Sequence, residues 1–174
     1  MKIELKKIYT NERFSEETNC FKAEIYLNGK KVGFAENDGH GGSTNYFGIE
    51  KYYSKDIQDM EEYCKTLPPI VYTKEEHGTD FVIDMTLEHY IDNIIMDYIN
   101  AKQDKAQQKK YEKGICYGKN KHSYYFLEFK QGGKKLKISD MLKSEAGKKK
   151  IIDTCREKIK EGYKILNTNI PLEI

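Results

Sequence analysis

The run FKAEIYL from Phe21 to Leu27, followed by Asn28-Gly29 and Lys30 to Ala35, constrains the fold more than any other stretch of the chain. Phe21, Ala23, Ile25 and Leu27 alternate with Lys22, Glu24, Tyr26 and Asn28, the two-residue period of a strand with one buried face. Asn and Gly tolerate positive φ at the centre of a tight turn. Asn28-Gly29 therefore predicts that residues 31–35 return antiparallel as a hairpin.

Directly after it comes NDGHGGSTNY, a loop that attracts a functional reading. Gly39, Gly41 and Gly42 free the backbone, and Asn37, Asp38, His40 and Ser43 supply polar groups. Exposed amides there would form an anion nest, and Asp38 with His40 would bind a metal or relay a proton. The plainer reading is a turn whose glycines satisfy backbone geometry while Asn37 and Asp38 cap their own main chain. Neither GxGxxG nor GxxxxGK[ST] occurs, so no dinucleotide or P-loop site is expected, and no cofactor or metal is assigned.

Elsewhere the periodicities alternate between strand and helix. Ile3 and Leu5, with Lys7 next in the series, predict a first strand with Ile8 on its outer side. Tyr46 to Ile49 reads as a short strand. Ser54 caps a helix whose Ile57, Met60, Cys64 and Leu67 form one stripe, ended by Pro68-Pro69. Ile70 to Tyr72 and the weaker Phe81 to Met85 are strand candidates. Thr86 caps the longest helix, whose buried face is predicted to include Leu87, Ile91, Ile94, Ile95 and Tyr98. Helix propensity continues to Gly114, which would make a rod of about 42 Å whose end projects or frays. Ile115 to Tyr117, Ser123 to Phe129, Gly132-Gly133 and Lys134 to Ile138 predict a second hairpin. A last helix starts at Ser139 or Asp140, buries Ile151, Ile152, Cys155 and Ile159, and stops at Gly162. The sum is one α+β domain over residues 1–174, with a mostly antiparallel sheet and about three helices.

Charge is distributed unevenly. Residues 1–100 hold 11 basic and 19 acidic side chains, a net of −8, and residues 101–174 hold 19 and 9, a net of +10. Such a split suits a nucleic-acid or acidic-protein surface on the basic half, or two halves that attract each other. In KNKHSYYFLEF, Lys119 and Lys121 interleave with Tyr124, Tyr125 and Phe126 on a strand, the pattern that stacks and steers single-stranded nucleic acid, although strand aromatics also pack cores, and Lys148, Lys149 and Lys150 add a basic run. Only two of the 30 basic residues are Arg, which disfavours bidentate reading of guanine. The four cysteines are widely spaced and read as reduced core residues of a cytoplasmic chain, and no apolar run predicts a leader or a membrane span.

The segment ETNCFKAEIYLNGKKVGFAENDGHGG and the tail EGYKILNTNI resemble a group of uncharacterised accessory proteins encoded by phages and bacterial mobile elements. These share an F-x-A-x-[IVL]-Y-x-[ND]-G-K hairpin followed by an NDG-x-GG loop. The resemblance implies an intracellular, phage-derived accessory protein; taken with the bipolar charge and the long helix, the expectation is a protein that engages a host macromolecule, a host protein first and nucleic acid second, as an antagonist of a defence system. It carries no catalytic residue. Catalysis would need a convergent set, for which the candidates are Asp38 with His40, His77 with Asp80, Glu88 with His89 and Asp92, or a Cys20-His40 or Cys64-His pair. No local pattern identifies a nucleophile among them.

Overall fold

Asn28 and Gly29 adopt φ of 49° and 86°, and Leu27 lies opposite Lys30, so the two-residue hairpin turn forms where its residues demand it. The computed structural model describes residues 1–73, 78–121 and 123–172. The chain is α+β and divides into two compact units, residues 1–100 and 101–174. Each hairpin seeds the sheet of its own unit.

In the first unit β1 (Ile3–Thr10), β2 (Phe21–Leu27), β3 (Lys30–Asn37) and β4 (Asn45–Gly48) form an antiparallel sheet in chain order. The expected phase of β1 is overturned at Lys7, whose φ of 48° marks a bulge, with the pairing shifting between Lys6 and Tyr9. One inserted residue resets the two-residue alternation, so Ile8 rejoins Leu5 on the core side and Lys7 leaves the series. Lys7 turns instead to Glu24 at 3.1 Å, and Lys31 reaches the same carboxylate oxygen at 2.6 Å. Lys31 foremost, then Lys7 and the Tyr26 hydroxyl, hold the Glu24 carboxyl down at about 2.

One face of this sheet is covered by α1 (Lys55–Cys64) and the first half of α2 (Leu87–Tyr111), giving a core that includes Phe21, Ile25, Ile57, Met60 and Ile91. Ser54 accepts the Ile57 amide and Thr86 accepts the His89 amide, so both predicted caps form. Leu87, Ile91 and Ile95 are buried, whereas Ile94 is half-buried and Tyr98 is 39 % exposed, against the broader face expected. The contact follows the i, i+4 row, which continues to a partly buried Ile99; Ile94 and Tyr98 each stand one residue before that row. Ile95→Ala should therefore lower stability by about 2–5 kcal/mol in denaturant titration while Tyr98→Ala stays close to wild type. Equal effects at the two positions would contradict this packing.

Among the described residues β5 (Ile70–Tyr72) and β6 (Phe81–Ile83) pair only with each other, with Tyr72 stacked on Phe81 at 4.5 Å. His77, between them, lies outside the described residues.

The second unit has the sheet order β10-β7-β8-β9, built from β7 (Gly114–Asn120), β8 (Ser123–Gln131), β9 (Lys134–Leu136) and β10 (Lys164–Ile165). Ile115, Phe129, Ile138, Ile151, Cys155 and Ile170 are its core. The last helical region is split. Ser139 and Asp140 lie within a one-turn α3 (Ile138–Met141), and the cap of α4 (Glu145–Lys160) is Ser144, which accepts the Gly147 amide. Ile159, expected to be buried, is 39 % exposed in the final turn, where Gly162 at φ 89° ends the helix.

The helix α2 also departs from expectation at its end. It stops at Tyr111, and that end neither projects nor frays. Tyr111 is buried, and its carbonyl accepts from the side chains of Asn167 and Asn169 at 3.3 and 3.1 Å. The tail that follows β10 is thus the cap of α2, a long-range partner that helix propensity cannot reveal.

Candidate functional site

The glycine loop spans the connection from β3 to β4, and its polar groups are turned on one another. Asn37, 6 % exposed, accepts from the Thr18 hydroxyl and the Gly39 amide, both at 2.8 Å. Its amide nitrogen donates to the Gly42 carbonyl at 2.9 Å and the Thr44 hydroxyl at 3.3 Å. The amides of His40 and Gly41 donate to Asp38 Oδ1 and to the Thr18 hydroxyl. A nest of amides does exist beside the loop, from Glu16, Glu17 and Thr18, but it converges on the Gly39 carbonyl at 2.9, 3.1 and 3.3 Å. The loop's own backbone occupies the position an anion would take.

Of the exposed loop residues, Asp38, His40 and Ser43 line a cleft of about 500 Å³ together with Cys20, Phe14 and Glu36. His40 Nδ1 lies 3.1 Å from Glu16 Oε2, and that carboxylate raises the imidazole above its ordinary value near 6.5. The sign follows from the raised value. The pair contributes fully below the unfolded pKa and loses its contribution as pH rises through the folded one. Both side chains are open to water, so the contribution is small. In an NMR titration His40 should titrate above an ordinary histidine, and Glu16→Gln should return it toward 6.5. An unshifted wild-type His40 would show that the pair does not form.

Glu88, His89 and Asp92 have structural partners too. Glu88 accepts the Thr44 amide at 2.9 Å and Asp92 accepts the Thr44 hydroxyl at 2.6 Å, so the i, i+4 carboxylates pin the loop to α2. Burial pushes the Asp92 carboxyl up, partly offset by that hydroxyl. His89 bonds the capping Thr86. Burial likewise pushes the Cys64 and Cys155 thiols up to about 11, the behaviour of inert core cysteines. Among the described residues no three His, Cys, Asp or Glu side chains are grouped to hold a metal, and no helix is long and apolar enough to cross a membrane.

In the second unit the predicted basic residues do not form one patch. Lys121 and Tyr124 line a polar cleft of about 500 Å³ with Gln103, Gln107, Lys110 and Thr168, where the Lys110 ammonium also bonds the Tyr124 hydroxyl. Lys119 is exposed at the end of β7. Lys148 is paired with Glu145, and Lys150 sits 5.7 Å from the Phe129 ring centre. Tyr124 and Phe129 are five residues apart on β8, about 17 Å, and odd spacing puts them on opposite faces. Lys148, Lys149 and Lys150 therefore belong to a different region from Lys119, Lys121 and Tyr124.

The second unit also gathers an exposed aromatic group, of which the sequence reading singled out Tyr125 but neither of the partners that hold it. Tyr117 and Tyr125 are register partners on β7 and β8, with rings 5.5 Å apart and nearly parallel. Tyr163 meets both edge-on at 5.3 and 5.6 Å. Tyr125 is nonetheless 58 % exposed. The grouping itself could not be read from the sequence, because Tyr163 joins through the return of the tail as β10.

No family model, curated protein or solved structure matches the chain.

Proposed function

We propose that this is a non-enzymatic binding protein of the phage and mobile-element type, which engages an acidic host macromolecule through its basic second unit, as an antagonist of a bacterial defence system. One observation carries the reading. The boundary between the two compact units falls where the charge changes sign, so that 19 basic and 9 acidic side chains share one unit and 11 and 19 the other. A unit so biased steers acidic surfaces toward itself and repels basic ones. The hairpin, loop and tail that resemble phage accessory proteins supply the biological setting. The glycine loop, with its amides already bonded internally, offers less to a ligand.

The test is capture from bacterial host lysate on the full chain, with and without nuclease, at about 50 and 200 mM salt. The reading expects a discrete acidic partner whose retention falls with salt and with substitution of second-unit lysines by Gln. No partner in either arm, combined with a small molecule that raises the melting temperature by several degrees, would overturn it in favour of a ligand-binding protein.

A further inference from the structure

We infer that the cluster of Tyr117, Tyr125 and Tyr163 is a stacking platform for the bases of a single-stranded nucleic acid, whose phosphates are taken by the lysines around it. The inference rests on the binding reading above and names the acidic partner. Tyr125 is held by Tyr117 alongside and Tyr163 at its edge, yet most of its surface remains open. A ring already fixed by its neighbours loses little freedom when a planar ligand stacks on it. Bases present such planar faces only when unpaired, which favours a single strand over a duplex.

The charges nearby suit the same ligand. Lys119 lies two residues beyond Tyr117, whereas Lys121, beside Tyr124 at the turn between β7 and β8, and Lys164, opposite Gly118 on the edge strand, stand at the rim and start from the other face of the sheet. All three are exposed and, among the described residues, none has an ion pair. Lys158 differs: it lies 5.6 Å from the Tyr117 ring centre and is already bonded to Glu161 at 2.8 Å, so its charge is matched within the protein. An acidic protein would be met better by guanidinium forks, and this unit has a single Arg, Arg156. Lysines with open rings instead give phosphate attraction and stacking without base-edge reading, so little sequence preference is expected.

The experiment is fluorescence anisotropy of the full chain with a labelled mixed-sequence single-stranded DNA of about 12 nucleotides, against the same sequence as a duplex. Wild type should prefer the single strand. Tyr125→Ala should weaken binding about 5- to 150-fold with an unchanged salt slope, while Tyr125→Phe retains it. Lys119→Gln should lower the slope of log affinity against log salt by about 0.7, and Lys121→Gln and Lys164→Gln, at the rim, by less. Should Tyr125→Ala fail to fold by circular dichroism, Tyr125→Leu is the replacement and is held to the same loss. Wild-type affinity in that variant, or equal binding of duplex and single strand, overturns the platform. Binding of neither oligonucleotide, with a host protein retained after nuclease treatment, overturns this inference but leaves the proposed function standing. Binding of neither, with no partner captured, removes both.

Discussion

Gly39→Ala will destabilise the protein by about 3–5 kcal/mol, the largest effect expected of any substitution in the glycine loop. Gly39 sits at φ 92°, and a Cβ there would come far inside contact distance of the Phe14 carbonyl, with Cys20 Cβ also too close. The carbonyl is main chain and cannot swing aside. The Gly39 carbonyl is also the acceptor for three successive amides, so any shift that relieves the clash breaks that convergence. The neighbouring glycines provide the contrast. Gly41 also has positive φ, but its Cβ would meet the movable end of the Glu17 side chain, and Gly42 has open space and no positive φ. Chemical denaturation of the three alanine variants should rank them Gly39, then Gly41, then Gly42. A Gly42→Ala loss as large as that of Gly39→Ala would show that the loop's fit is not what holds it.

Asn167→Ala will cost about 3 kcal/mol and will act on the second unit. Asn167 is buried. Its Oδ1 accepts the Cys116 amide at 2.7 Å, and its Nδ2 donates to the Gly114 carbonyl and Asn169 Oδ1 at 3.0 Å and to the Tyr111 carbonyl at 3.3 Å. Alanine would leave a strand amide and strand carbonyl bare and weaken the end of α2, where only Asn169 would remain on Tyr111. Asn167→Asp should be no milder, because a carboxylate can still accept from Cys116 but cannot donate to the two carbonyls. The readout is amide hydrogen exchange at Cys116 and the last turn of α2. Unchanged protection there would refute the role assigned to Asn167.

These two positions show what could be read in advance and what could not. The hairpin turn, the Ser54 and Thr86 caps and the Gly162 stop are local, since each depends on residues within a few positions, and each formed as its chemistry dictates. Burial was less legible. Ile94, Tyr98 and Ile159 lie on apolar faces by spacing, but whether such a face is covered depends on where the opposing element ends. The phase of β1 failed at a single inserted residue, which no alternation pattern marks. The NDGHGG loop was visible as unusual, but its meaning lay in Glu16, Glu17, Thr18, Glu88 and Asp92, which reach it from other elements. The ILNTNI tail contributes to the cap of a helix more than fifty residues earlier, and Tyr163 meets Tyr117 and Tyr125 by the same return of the chain.

The coincidence of charge boundary and unit boundary also governs how the molecule behaves in a separation. A chain of formal charge +2 would ordinarily be a weak cation passing freely over an anion exchanger near neutral pH. Here an acidic unit of −8 and a basic unit of +10 lie within one polypeptide. Resins of either sign find a unit of opposite charge, and retention follows the local field, which salt attenuates over about 10 Å, more closely than it follows the isoelectric point. Purified protein should be held by both exchangers at low salt, and a proteolytic fragment of either unit by one alone.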